Sequence, residues 1–279
     1  MTRRACVIGY PVAHSRSPLI HNYWLREHQI DGDYVRHELR PEEIDSFLRN
    51  FAQSGFIGCN VTLPHKEAAA RNVANASPVV RALGVANTLW LDNETLHADN
   101  SDVGGFVSHL DHSLPGWTAK TKHAVILGAG GAARAVIYGL KSRGVENMTI
   151  VNRSPERAAQ LTKEIKIAAG MAGFEKLPAL LAQADLLVNT TSLGMTGQPP
   201  LEIDLSHLKA GAAVCDVVYV PLETELLKQA RERGHPAIDG LGMLLHQAVV
   251  GFERWFGVKP KVTPELRAHI VADLTKGAK

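Results

Sequence analysis

No sign of charge dominates this chain: 30 Lys and Arg stand against 28 Asp and Glu over 279 residues. A net charge of +2 gives no electrostatic footprint for nucleic acid or an anionic membrane surface. The basic residues are scattered, so there is no basic arm. Cysteine is scarce too. Cys6, Cys59 and Cys215 each sit in an apolar, strand-like run. Their odd number and buried type of setting predict reduced thiols in the cytoplasm, and no pair has ligand spacing, so no metal site is expected. Arg3 and Arg4 precede an apolar run over residues 5–8 that is too short for a signal-peptide core. Nothing approaches the roughly 20 apolar residues of a membrane span. Internal repeats and low-complexity segments are also absent.

What is present is ordinary globular material. The chain is 45% hydrophobic and 21% charged, and its length suggests two domains. Short apolar runs alternate with helical patterns. Strands are expected at 5–9, 34–39 and 56–63, helices at 17–28, from Pro41 onward and at 66–74, then a hairpin of 85–91 with 95–98. The pattern restarts near His123, with strands at 124–127, 148–151, 185–189 and 212–217. The helices expected among them are 132–142, from Pro155 to about 165, and 223–233. Helices at 241–256 and 264–274 close the chain. Such alternation predicts an α/β protein. The first boundary is expected within 102–105, where Gly104 and Gly105 follow a polar run; these glycines and Gly240 are hinge candidates.

The strand at 124–127 runs into Gly128-Ala129-Gly130-Gly131 and then an Ala-rich helix. Glycine lets a pyrophosphate approach the backbone, and the free N–H groups at the helix start attract its charge. A tight turn alone does not need three glycines in four residues. At the end of the next strand stands Asn152-Arg153-Ser154, where an NAD site usually places an acid for the ribose 2′-hydroxyl. Arg153, with Arg157 one turn on, suits a 2′-phosphate instead. The expected cofactor is therefore NADP.

Short polar residues collect just after the apolar runs of the first half: Ser15, Ser17, Asn60, Thr62, Asn87, Thr88, Asn100 and Ser101. Singly they read as caps and turns. Together they suit a small polyhydroxylated ligand, since α/β domains bind ligands beyond the carboxyl ends of strands. Lys66 opens a helix, where a cation is slightly disfavoured, and Asp102 closes a polar run, where it reads equally as a helix N-cap. The two gain force as an acid–base pair only if the fold unites them.

These segments resemble the shikimate dehydrogenase family over nearly the whole chain. The matching residues are Ser15-Arg16-Ser17-Pro18, Asn60-Val61-Thr62-Leu63-Pro64-His65-Lys66, Gly84-Val85-Ala86-Asn87-Thr88 and Asn100-Ser101-Asp102-Val103-Gly104. They continue with the glycine turn, Asn152-Arg153-Ser154, and Asp239-Gly240-Leu241-Gly242-Met243-Leu244 with Gln247. Ser101 and Ser154 stand where threonine is common, which keeps the hydroxyl. The resemblance implies NADP-linked, reversible reduction of 3-dehydroshikimate to shikimate in aromatic amino-acid biosynthesis. It implies two α/β domains around a cleft: residues 1–104 plus 241–279 for substrate and catalysis, and a Rossmann-type NADP domain over 105–240. By the family pattern Ser15 and Ser17 hold the substrate carboxylate, and Thr62, Asn87, Tyr219 and Gln247 contact the ring or its hydroxyls. Lys66 and Asp102 meet the reacting oxygen. Gly128, Ala129, Gly130, Gly131, Ala132, Asn152, Arg153, Ser154 and Arg157 hold the cofactor, with Val217 and Gly240 near the nicotinamide. The expected partners are small molecules alone, in a monomer or homodimer. Two rivals remain: a quinate/shikimate dehydrogenase of broader specificity, and a non-catalytic NADP-binding regulator, which would keep the glycine turn but not need Lys66 and Asp102.

Overall fold

The computed structural model describes residues 2–276. In chain order its elements are β1 (Arg3–Gly9), α1 (Ser17–Glu27), β2 (Gly32–Glu38), α2 (Ile44–Arg49), β3 (Gly58–Val61), α3 (Lys66–Asn72), β4 (Asn75–Ala76), α4 (Pro78–Leu83), β5 (Thr88–Asp92) and β6 (Thr95–Asp99). There follow α5 (Ser101–Ser113), α6 (Trp117–Lys120), β7 (His123–Leu127), α7 (Gly131–Ser142), β8 (Asn147–Val151), α8 (Pro155–Ile165), β9 (Gly170–Ala172), α9 (Leu177–Leu181) and β10 (Leu186–Asn189). The chain ends with β11 (Ala213–Asp216), α10 (Glu225–Glu232), β12 (Ala237–Ile238), α11 (Leu241–Phe256) and α12 (Pro264–Lys276). Its described residues divide into two compact units, one of residues 2–102 with 245–273, the other of residues 103–244 with 274–276.

The first unit holds a mixed sheet in the order β2-β1-β3-β5-β6-β4. β1 runs parallel to β2 and β3, and the β5–β6 hairpin adds antiparallel to β3. Successive side chains of a strand face opposite sides of its sheet. Cys6, Ile8, Cys59 and Val61 accordingly pack on Ile44 and Leu48 of α2 and Ala68 and Ala69 of α3. On the other face an aromatic layer forms from α1 and α11: Trp24 meets Phe252 edge-on, and Tyr34 lies against Trp255. Asn60, between Cys59 and Val61, joins that second face, where the Tyr34 hydroxyl donates to it.

The second unit holds an all-parallel sheet, β12-β11-β10-β7-β8-β9. Read from β9 this is the order 3-2-1-4-5-6 of the Rossmann fold, whose ligand crevice lies at the strand ends where the order reverses. Here the reversal falls between β7 and β10. Both strands are buried throughout, as parallel strands covered on two faces must be.

The two units part between residues 102 and 103, within the stretch where the first boundary was expected, but Gly104 and Gly105 are helical there and not a loop. Both lie inside α5. Val103, Phe106, Val107 and Leu110 are buried at helical spacing, and that face outweighs the roughly 1 kcal/mol each glycine costs a helix. The short elements β4, β9, β12, α4 and α6 carry too little periodicity to be read from sequence.

β3 and α11 meet without clearance. A Cβ on Gly58 would lie 2.0 Å from Nε1 of Trp255 and 2.5 Å from the Leu89 carbonyl oxygen. That indole N–H donates to the same carbonyl at 2.8 Å. Gly58→Ala is expected to destabilise the protein by about 2 kcal/mol or more, read as the shift in urea midpoint, because overpacking here meets backbone as well as a flexible ring. An unchanged midpoint would show that α11 does not press on β3.

Candidate active site

The fold unites Lys66 and Asp102. Lys66 is the first residue of α3, held there as its carbonyl accepts from the Ala86 N–H at 2.9 Å. Asp102 lies in the first turn of α5 but is not its cap. The Asn100 side chain takes that part, accepting from the Asp102 N–H at 3.1 Å while its amide donates to the Val85 carbonyl. Across 36 residues of sequence the Lys66 Nζ donates to Asp102 Oδ2 at 2.6 Å, with 22% and 15% of the two side chains exposed. A pair so shielded interacts more strongly than a surface ion pair, yet keeps an open side for a ligand.

The other carboxylate oxygen is fixed by Asn87, whose Nδ2 donates to Asp102 Oδ1 at 2.9 Å. Asn87 Oδ1 accepts from the Ser101 N–H at 2.7 Å and from Thr88 Oγ1 at 3.0 Å. Ser101 Oγ donates in turn to Oε1 of Gln247 at 3.2 Å. Asn87, Ser101 and Gln247 are buried, so hydrogen bonding, rather than exposure to water, sets their orientation.

Ser15, Ser17 and Thr62 belong to the same unit. Ser17 begins α1, and its N–H reaches Ser15 Oγ at 3.3 Å. The positive end of a helix dipole at two serines suits a carboxylate. Arg36, which sequence reasoning did not single out, donates twice to the Ser15 carbonyl, at 3.1 and 2.6 Å, and so braces that loop. Thr62 is half-buried just past β3, where its methyl would meet a Cβ on Gly9 at 2.4 Å. Tyr219 lies in the second unit, half-buried in the loop after β11.

Behind these residues lies a support that the sequence reading missed. Tyr34 donates to Asn60 Oδ1 at 2.6 Å, which turns the Asn60 amide nitrogen toward the Asn87 carbonyl at 3.2 Å. His21 stacks on Tyr34, with ring centroids 4.1 Å apart and planes at 15°. It is fully buried, and among the described residues neither ring nitrogen has a hydrogen bond of normal geometry. A spacing of four along α1 puts His21 on the same face as Ser17, which was the available signal.

In the second unit the glycine turn follows β7. Gly128 has φ +101°, and a Cβ there would lie 2.8 Å from the Thr191 methyl. The protein itself therefore requires that glycine. Gly130 and Gly131 differ: a Cβ on either would meet nothing within 4 Å. Gly130 is extended and caps α7 without a side-chain hydrogen bond; it and Gly131 are exposed, between half-buried Ala129 and Ala132. A phosphate fits such a cradle, and packing gives no other reason for two bare residues. Asn152, at the end of β8, turns the chain by donating to the Ser154 carbonyl at 2.9 Å. Ser154 precedes Pro155 as the N-cap of α8, its side chain making no cap bond. Arg153 and Arg157 are exposed and have no ion-pair partner among the described residues. The residues thus fit a phosphorylated dinucleotide. Val217 follows β11, and a Cβ on Gly240 would lie 2.2 Å from its carbonyl oxygen.

Known proteins resemble the chain over nearly its whole length. The chain matches models of the shikimate dehydrogenase substrate binding domain over residues 7–89, of shikimate/quinate 5-dehydrogenase over 111–196, and of the shikimate 5′-dehydrogenase C-terminal domain over 240–264. The NADP(+) shikimate dehydrogenase of Azorhizobium caulinodans is 54% identical over 98% of this chain and 97% of its own. Shikimate 5-dehydrogenase from Thermus thermophilus, solved with NADP(H) and shikimate, superposes with a TM-score of 0.85 at 32% identity over 98% of this chain and 99% of that one. Quinate dehydrogenase from Corynebacterium glutamicum, solved with NAD, gives 0.89 at 30% over 97% and 99%.

Burial pushes the His21 imidazole down from its ordinary 6.5 to about 3. The unfolded chain therefore binds a proton that the folded one refuses between those values, and stability falls as the pH drops below about 6.5. The expected slope is up to about 1.4 kcal/mol per pH unit. Urea midpoints at pH 7 and pH 5 measure it, and His21→Phe is expected to flatten it. A slope of the same size in that variant would remove His21 as its source.

Proposed function

The chain belongs to the shikimate dehydrogenase family, and from that membership and its site we propose the following chemistry. The protein catalyses the reversible, NADP-linked reduction of 3-dehydroshikimate to shikimate, a step in aromatic amino-acid biosynthesis. The observation that carries the catalytic part is the shielded Lys66–Asp102 pair, 2.6 Å apart.

Bound along the glycine turn, NADPH supplies the hydride. Reduction of a ketone leaves an alkoxide that must gain a proton. Lys66, as an ammonium, stabilises that developing charge and donates the proton from Nζ; in the reverse direction the amine takes it back. Asp102 aims Nζ and accepts from a neighbouring hydroxyl of the substrate, and Asn87 prevents the carboxylate from rotating. Ser15 and Ser17 hold the substrate carboxylate at the start of α1. Thr62, Asn87, Gln247 and Tyr219 contact the ring and its hydroxyls. Arg153 and Arg157 clamp the 2′-phosphate that distinguishes NADP from NAD. Val217 and Gly240 form the shelf for the nicotinamide. Among the described residues no helix is long and apolar enough to cross a membrane. Buried free thiols at Cys6, Cys59 and Cys215 support a cytoplasmic protein, which we expect to act as a monomer or homodimer.

Initial rates with shikimate and quinate, each with NADP and NAD, test the assignment; the shikimate–NADP pair is expected to have the highest kcat/KM. Higher efficiency with quinate and NAD would overturn it. Lys66→Ala is expected to lower kcat by about a hundredfold or more, with KM for shikimate little changed. Turnover near that of the native protein would dismiss Lys66 as the proton carrier.

The glycine turn yields a second test, whose two readouts should move apart. Gly131→Ala meets no protein atom and is expected to leave stability unchanged or raise it by up to about 1 kcal/mol. It should nevertheless weaken NADPH binding, because the new methyl stands where the pyrophosphate approaches. Undiminished NADPH affinity, measured by fluorescence titration, would place the cofactor elsewhere.

A further inference from the structure

Asp216, the last residue of β11, is the second unit's fully buried carboxylate, with no exposed surface. Among the described residues it has no ion-pair partner. Burial raises its carboxyl above the usual range, and three hydrogen bonds oppose that shift. Oδ1 accepts from Asn189 Nδ2 at 2.9 Å and from the Val218 N–H at 3.0 Å. Oδ2 accepts from Thr224 Oγ1 at 2.7 Å. Thr224 is the N-cap of α10, with its oxygen already accepting from Leu227.

Two paths lead from this carboxylate to the cofactor site. Asn189, held through its amide nitrogen, accepts through Oδ1 from the N–H and the hydroxyl of Thr191, at 3.0 and 2.7 Å. The Thr191 methyl is the atom that a side chain on Gly128 would strike at 2.8 Å. In the other direction, Val218 and its neighbour Val217 press their carbonyls on Gly240, whose N–H donates to the Val218 carbonyl at 3.2 Å. The carboxylate thus bonds both to the turn behind the glycines and to the shelf after β11.

We propose that Asp216 is a positioning residue that fixes the glycine turn and the Val217/Gly240 shelf in one geometry, so that both ends of a dinucleotide are met at once. This rests on the cofactor reading above. Preorganisation of this kind raises affinity by removing the cost of ordering two loops on binding.

Asp216→Ala frees both loops, whereas Asp216→Asn keeps an acceptor for Asn189 and Val218 and offers its amide to Thr224. In titrations of NADPH fluorescence without substrate, Asp216→Ala is expected to weaken binding about tenfold or more, and Asp216→Asn by about threefold at most. KM for NADPH should follow, while KM for shikimate stays put in both. A lowered melting temperature with native NADPH affinity in Asp216→Ala would reduce the residue to a structural one and overturn the inference. If that variant does not fold, Asn189→Ala cuts only the arm toward Thr191, and is expected to weaken NADPH severalfold; native affinity there overturns the inference equally. Native protein that binds no NADPH would sink the cofactor reading and this inference with it, whereas native binding with unaltered variants sinks the inference alone.

Discussion

The hydrogen bond from Asn87 Nδ2 to Asp102 Oδ1 constrains the whole polar end of the first sheet. A carboxylate with most of its surface covered must have its lone pairs satisfied, or its burial costs several kcal/mol. Lys66 satisfies one oxygen, but a flexible four-carbon stem cannot by itself hold the acid in place. Asn87 can, because its own oxygen is tied to Ser101 and Thr88. Ser101 then engages Gln247 on α11, and Asn60, oriented by Tyr34, supports the Asn87 backbone. Asn60, Asn87 and Ser101 each accept from one neighbour and donate to another. The amides have only one orientation that satisfies all of them.

The two units use the same device on different sheets. In the first, an asparagine donates to Asp102 at 2.9 Å; in the second, an asparagine at a strand end donates to Asp216 at 2.9 Å. The difference is the cation. Asp102 has Lys66 and an open side, which suits a group that handles protons. Asp216 has only hydrogen-bond donors and no exposure, which suits a group that holds loops. Chemistry and positioning are thus separated by whether a buried acid keeps a titratable partner and a path to ligand.

Much of this was legible in the sequence where a residue's role is local. Strand, turn and helix around Gly128 follow from periodicity and glycine count, and Pro41, Pro155 and the Leu241–Phe256 helix announce themselves by capping and spacing. The polar residues after β1, β3 and β6 and at the start of β5 were visible as a group because they border apolar runs. What stayed hidden is what depends on pairing across sequence distance. Tyr34 and Asn60 are 26 residues apart, and Asn189 and Asp216 are 27 apart; no local pattern joins them. Asp102 looked like a cap because its acid stands at a helix start, yet Asn100, two residues earlier, makes that bond. Gly104 and Gly105 looked like a loop because glycine is weak in helices; the units do part beside them, between residues 102 and 103, yet the buried Val103, Phe106, Val107 and Leu110 keep the chain helical through that point.

The three glycines of the turn show how a motif separates into parts that serve the fold and parts that serve the ligand. Gly128 is needed by the chain: its φ of +101° and its contact with Thr191 exclude a side chain whether or not anything binds. Gly130 and Gly131 are needed by nothing in the protein, since an added methyl would stand in open space. Selection for stability alone would favour alanine at a helical position such as Gly131. Keeping glycine there costs the folded state, which fits the proposed approach of a pyrophosphate to the backbone. A glycine count cannot make that distinction; the position each missing Cβ would occupy can. By the same measure Gly240, whose Cβ would overlap the Val217 carbonyl, belongs to the fold, and the part proposed for it in cofactor binding rests on the shelf it allows to form.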